Sequence, residues 1–239
     1  MQTMAPTVRC PRTVLVKGGP WLIHLLDGKT SSELGPFVDQ LKAAIAEVGG
    51  PPAFLRTGHG SGKHEWRRTC YYTGEQPLEH HISALVEWSC MVDMLGLPVD
   101  DWAVREMLPL KPCMTLDRYE GMPVNKERRW FIGDGKPVWF HPYWPPQACD
   151  GGPVDWESRL AEANHVTLLE AQELYRQTLA VAAALPGAWS VDWMFVDNVG
   201  WYMIDAAPLA VSWVWPDWKP SEEIQAALQL KPPVRGNDA

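Results

Sequence analysis

The chain has 239 residues, with 29 Asp and Glu against 21 Lys and Arg, a formal net charge of -8 and 7 His. Hydrophobic residues make up 46% and charged residues 21%, the balance of a folded globular protein with a sizeable core. No long basic track runs along this acidic chain, so nucleic acid is not an expected partner, and no apolar run approaches the length of a membrane span.

The 5 Cys are scattered with no CxxC pair, which argues against a zinc site or a disulfide framework and for reduced thiols in a cytoplasm. The N-terminal stretch lacks the apolar core of a signal peptide, and the expected location is cytoplasmic. The count of 14 Trp is high; these residues suit cores, ligand walls and interfaces alike.

In chain order, Thr13–Val16 reads as a strand stopped by Gly18-Gly19-Pro20, and Trp21–Leu26 as a second strand. Phe37, Leu41, Ile45 and Val48 recur at helical spacing and end at Gly49-Gly50. Ala53–Arg56 reads as a strand running into a glycine-rich loop. Leu78–Leu95 is an amphipathic helix ended by Gly96 and Pro98. Trp102–Leu108 is a strand. Arg128–Ile132 and Pro137–His141 flank Gly133-Asp134-Gly135 as a hairpin, and 145–153 reads as a loop. Thr167 and Glu170 form a capping-box pattern that opens a helix to Leu185. Ser190–Val196 and Trp201–Ile204 form a second hairpin around 197–200, and a short helix follows near Glu222–Leu228. Helices interleaved with antiparallel hairpins indicate an α+β fold. The proline-containing stretch Pro109–Pro112 marks a boundary near residue 110.

Three segments carry chemistry. In the first, Arg56 ends an apolar strand, and a loop follows with Gly58, Gly60, Ser61, Gly62 and Lys63. Alternate glycines let backbone N–H groups approach an anion, and Lys63 adds a mobile positive charge, which is phosphate-binding chemistry. The segment is not a Walker A loop, because Thr57 stands at the first Gly and His64 at the magnesium-binding Ser/Thr. The competing reading is a flexible surface loop.

In the second, Asp192 and Asp205 lie on the two strands of the 190–204 hairpin region. Two carboxylates facing one another call for a cation between them, and magnesium takes oxygen ligands. The competing reading is two unrelated acids at strand edges. In the third, Arg128 and Arg129 lie on a strand where a guanidinium can clamp triphosphate oxygens in fixed fork geometry. The competing reading is a solvated charged edge. The Trp139, Trp144, Trp213, Trp215 and Trp218 cluster walls a groove or packs a core. No HxxxH pair and no GxSxG motif occurs.

The order of these segments resembles the ATP-grasp superfamily: a strand ending in Arg56, a glycine loop with Lys63, a strand with Arg105-Glu106, the Glu127-Arg128 hairpin ending in Asp134-Gly135-Lys136, and the Asp192 and Asp205 hairpin. The match is to the compact clade common in bacteria and phages. It is also similar to the eukaryotic cell-division-cycle family that assembles a translation initiation factor. The resemblance covers roughly residues 53 to 209.

It implies an ATP-grasp fold in which two lobes, each an antiparallel sheet with packed helices, hold ATP between them. The N-terminal lobe would be 1–110, with the phosphate loop, and the C-terminal lobe 111–239, with the magnesium hairpin. It implies that Arg56, Gly60, Ser61, Gly62 and Lys63 hold ATP phosphates and that Arg105, Glu106, Met107 and Leu108 cradle adenine and ribose. Arg128 or Arg129 would take the triphosphate, with Lys63 sharing the catalytic role. Asp192 and Asp205 would hold Mg2+.

The implied activity is an ATP-dependent ligase that activates a carboxylate through an acylphosphate for attack by an amine, on a small-molecule or peptide substrate. An ATP-binding assembly protein with a protein partner, or a kinase, shares the same ATP site. Two departures are plain: Ala207 stands where the family has Asn two residues after the second acid, and the region before residue 53 is short.

Overall fold

The structure is a computed structural model that describes residues 8–58, 60–92 and 99–233. It divides into two compact units. One comprises Pro11–Leu108 with Leu116–Met122; the other comprises 8–10, Pro109–Thr115 and the chain from Pro123 onward.

The first unit is built on β1 (Thr13–Lys17), α1 (Leu34–Glu47), β2 (Ala53–Thr57), β3 (Tyr71–Tyr72), α2 (Leu78–Met91) and β4 (Asp101–Glu106). Its four-stranded antiparallel sheet has the order β1-β4-β2-β3. Alternation decides the faces. Ala53, Leu55 and Thr57 of β2 and Trp102 and Val104 of β4 turn into the core, where Phe37, Leu41 and Ile45 of α1 and Ile82 and Leu85 of α2 meet them. Phe54, Arg56, Ala103 and Arg105 take the opposite face.

The strand expected at Trp21–Leu26 is instead a 3-10 helix, Pro20–Asp27. Pro20 fixes the first helical φ, and Trp21, Leu22 and Leu25 pack on one side rather than alternating. The expected helix Leu78–Leu95 is seen as Leu78–Met91; its predicted stops Gly96 and Pro98 lie outside the described residues.

Strands β5 (Met114–Leu116) and β6 (Met122–Val124) form a two-stranded sheet. The second unit then contains β7 (Glu127–Gly133), β8 (Lys136–Pro142), α3 (Pro146–Cys149), α4 (Trp156–Asn164), α5 (Leu168–Ala184), β9 (Trp189–Val196), β10 (Gly200–Pro208) and α6 (Glu222–Leu228). Its antiparallel sheet has the order β10-β9-β7-β8. Asp134 and Gly135, at φ 53° and 72°, close the first hairpin with the left-handed backbone that a tight turn needs.

Helix α5 starts at Thr167, whose hydroxyl accepts from Glu170 N at 3.2 Å. It covers the face bearing Trp130, Phe140 and Trp193. Trp130 stacks on Phe140 at 4.5 Å, and Trp193 Nε1 donates to Thr178 Oγ1 at 3.1 Å. The segment read as a loop over 145–153 holds the single-turn α3. Beyond α6, Lys231 N donates to Val138 O at 2.9 Å, so the tail covers the exposed edge of β8. Trp139, Trp144 and Trp218 are packing residues, whereas Trp213 is 44% exposed. Among the described residues no helix is long and apolar enough to cross a membrane.

Candidate functional site

In the second unit, the face of the sheet away from Trp130 carries one row of polar side chains. Arg129 is the ladder partner of His141 on one side and of Asp192 on the other, and Asp192 is the partner of Asp205. Direct partners share a face, so His141, Arg129, Asp192 and Asp205 line up across β8, β7, β9 and β10.

The last member depends on an irregularity. The β9–β10 register shifts between Met203 and Asp205. In an unbroken ladder Ile204 would oppose Asp192, and Asp205 would point to the Trp193 side. The extra residue turns Asp205 over to face Asp192, as bulges beside functional sites do.

Arg129 grips Asp192 with both arms of its fork, Nε to Oδ1 at 2.7 Å and Nη2 to Oδ2 at 2.8 Å. The side chains are 15% and 7% exposed, so the pair is largely out of water. Arg129 Nη1 also donates to Trp213 O at 3.4 Å, and its Cζ lies 4.9 Å from the Tyr143 ring. Burial works against the Arg129 charge. The Asp192 carboxylate and its hydrogen bonds, with Tyr143 and Asp205, more than offset this and hold the pKa above its ordinary value. Asp205 Oδ1 accepts from Ala206 N at 3.0 Å.

His141 is fully buried; its Nδ1–H donates to Pro142 O at 2.7 Å, and the ring sits edge-on to Trp213 at 5.3 Å. Burial pushes its pKa down to about 4, only partly opposed by the Pro142 contact, so the imidazole is neutral. The sequence marks His141 only as the end of a strand; its place in the row follows from the register with Arg129.

Arg128 points to the other face. It is wholly buried, and its guanidinium donates to Glu170 and to the carbonyls of Glu127, Ala163 and His165. Of the two arginines offered by the sequence, Arg129 therefore joins the acids. Arg128, expected as an alternative triphosphate ligand, is instead the buried anchor of α5, because β7 alternates and places neighbours on opposite faces.

In the first unit, Arg56 lies opposite Ala103, and Arg105 opposite Phe54, which makes the two arginines diagonal neighbours on the face away from the helices. Arg56 Nε donates to Thr57 O at 3.3 Å. The Glu106 carboxylate accepts from Arg12 N and Nε, both at 2.8 Å; these contacts outweigh its partial burial and lower its pKa. Met107 and Leu108 follow the end of β4 as half-buried residues.

The glycine loop is anchored at both ends. Thr57 Oγ1 and Ser89 Oγ share a buried hydrogen bond of 2.6 Å, and Thr69 Oγ1 donates to Gly62 O at 2.9 Å. A Cβ on Gly60 would stand 2.7 Å from the Trp88 ring, and Gly62 holds φ 63°. Ser61 is nearly buried, and Lys63 opens the short 3-10 turn Lys63–Glu65. His64 stacks on Tyr119 at 4.6 Å, and partial burial with Lys63 and Arg118 lowers its pKa.

No family model matches the chain, and no curated protein matches it. Solved structures similar to it include Cdc123 from Schizosaccharomyces pombe, at TM-score 0.48 and 14% identity over 84% of this chain and 78% of that one. They also include a RimK-domain ATP-grasp protein from Sphaerobacter thermophilus, at TM-score 0.41 and 11% identity over 92% of this chain and 57% of that one. A third is D-alanine–D-alanine ligase from Bacillus anthracis complexed with ATP, at TM-score 0.41 and 13% identity over 85% of this chain and 49% of that one. The chain thus spans about half the length of those two ATP-grasp proteins.

Proposed function

We propose that this chain binds Mg-ATP and acts as an ATP-dependent ligase, activating a carboxylate as an acylphosphate for attack by an amine. The observation that carries the reading is the row Arg129–Asp192–Asp205, assembled on one sheet face by the β10 bulge. The row itself sets one arginine against two carboxylates, and a bound cation would balance the second.

The residues fit a magnesium ion that takes most of its oxygens from elsewhere. Among the described residues no group of three or more His, Cys, Asp and Glu is placed to hold a metal ion. Asp192 and Asp205 would supply two ligands, and phosphate oxygens and water the rest, as magnesium prefers. When bound, the ion neutralises phosphate charge. In the same reading Arg129 orients the triphosphate, and Arg56, Arg105 and the Gly60–Lys63 loop bind nucleotide. Positioning and charge neutralisation are what such phosphoryl transfer asks of a protein.

The experiment is incubation with Mg-ATP and pools of amino acids and peptides, following ADP and phosphate. ADP release that requires both a carboxylate and an amine supports the ligase. A second reading, ATP binding for an assembly role, is favoured by Ala207, whose side chain offers the metal no oxygen. Nucleotide binding with no turnover on any pool supports that reading, and absence of nucleotide binding overturns both.

A further inference from the structure

Arg129 holds the carboxylate that a cation at this row would need. Both Asp192 oxygens are taken by its fork at 2.7 and 2.8 Å, with the carboxylate only 7% exposed. The fork leaves a second lone pair on each oxygen, but on so shielded a carboxylate a divalent cation would have to sit beside the guanidinium. A guanidinium and a divalent ion cannot both sit on one shielded carboxylate without strong mutual repulsion. Arg129 is also positioned by the Tyr143 ring and the Trp213 carbonyl rather than by Asp192 alone.

We propose that Arg129 is a latch on the acid pair: it occupies Asp192 when no nucleotide is present, and divalent cations gain Asp192 only when the guanidinium turns to another anion. Given the Mg-ATP reading above, that anion is the triphosphate. Cation and nucleotide then bind with positive coupling, each making the other's place available, and the coupling is reciprocal. Asp192 is neutralised in the resting protein, which explains how it stays buried opposite Asp205 without metal. Removing the arginine has effects of opposite sign: the cation binds more tightly alone, and the nucleotide more weakly. A side chain that only braces the fold would not separate the two.

The test uses the full chain with Mn2+ as probe, free Mn2+ being counted by electron paramagnetic resonance, without nucleotide. Arg129→Met is expected to bind Mn2+ about tenfold more tightly than wild type, and Arg129→Lys, which cannot hold both oxygens, to lie between them. The double variant Arg129→Met/Asp192→Asn should lose the gain. With a non-hydrolysable ATP analogue, wild type should gain about tenfold in Mn2+ affinity, and Arg129→Met should bind the analogue about tenfold more weakly. Equal Mn2+ affinity in wild type, Arg129→Met and Arg129→Lys overturns the latch, as does a gain that survives Asp192→Asn. If the analogue fails to bind wild type, the nucleotide reading falls while the manganese comparison still decides the latch.

Discussion

Arg128 and Glu170 form an ion pair inside the second unit, Nε to Oε1 at 2.7 Å, with the arginine wholly buried and Lys126 on the other carboxylate oxygen. The capping-box pattern is therefore half used. Thr167 caps α5 as its spacing predicts, but the Glu170 side chain reaches β7 instead of back to the helix start.

Glu170→Gln leaves the Arg128 guanidinium buried without its counter-charge. The expected loss is about 3–5 kcal/mol of unfolding free energy, read from urea titration. In the fraction that remains folded, nucleotide affinity should be unchanged, because Arg128 faces away from the acid row. A nucleotide defect with normal stability would place Arg128 back among the ligands.

Lys63→Ala should weaken ATP binding by about 1.5–3 kcal/mol, roughly ten- to a hundredfold, through loss of a charge-assisted phosphate contact. The loop itself is held by Thr57, Ser89 and Thr69, so the variant should melt near wild type. Calorimetric titration that shows unchanged affinity in the folded variant removes the loop from the phosphate site.

Asp192→Asn tests the sign of the acid pair. Two acids facing one another predict that neutralising one stabilises the metal-free protein. The structure reverses that expectation, because Arg129 already neutralises Asp192 through two short hydrogen bonds. The variant should lose about 1.5–3 kcal/mol in the presence of a chelator. A higher melting temperature than wild type would mean that repulsion from Asp205 outweighs the Arg129 pair.

Both long hairpins were legible because glycine-containing turns separate apolar runs, and alternation then assigned most strand residues to a face. Asp205 was not legible in this way: a regular hairpin about residues 197–200 puts it opposite Val191, and only the bulge at Ile204 brings it to Asp192. Helix α4 leaves no clear trace in the sequence, because only Leu160 and Ala163 of it are buried, too thin a stripe to show a period. Trp21–Leu26 is ambiguous in sequence, because a short apolar run has no period of its own, and Pro20 decides for the 3-10 helix.

His141 makes stability depend on pH. Its pKa is about 4 in the fold against 6.5 as a free side chain. Between those values the unfolded chain binds a proton that the native chain does not, so stability rises with pH across that window and is complete above it. Acidification from pH 6.5 to 4 should remove about 3 kcal/mol through this residue. His141→Gln, compared by urea unfolding at the two ends of the window, should flatten most of that slope. A slope unchanged from wild type would assign the acid sensitivity to other groups.

The last prediction concerns Ala207, the partner of Ser190 across the β9–β10 ladder. Asp205 and residue 207 are two apart on one strand and share a face. An Asn there would set a carboxamide oxygen beside Asp205, where a hard cation can use it. Neither Asp197 nor Asp217 lies on a strand of this sheet to take that role. Asp197 is exposed in the hairpin turn, about 16 Å along the strand from Asp192, and Asp217 is exposed in the segment after β10. Magnesium in wild type would hold water at that position. Ala207→Asn should therefore lower the Mg2+ concentration that half-saturates binding of a non-hydrolysable ATP analogue, by about tenfold, the worth of roughly 1.4 kcal/mol. The Ser190 hydroxyl, opposite residue 207, is already bonded to Ser212 at 2.7 Å and does not compete for the ion. Superimposable titrations of wild type and Ala207→Asn would show that the metal, if bound, takes nothing from this end of the row.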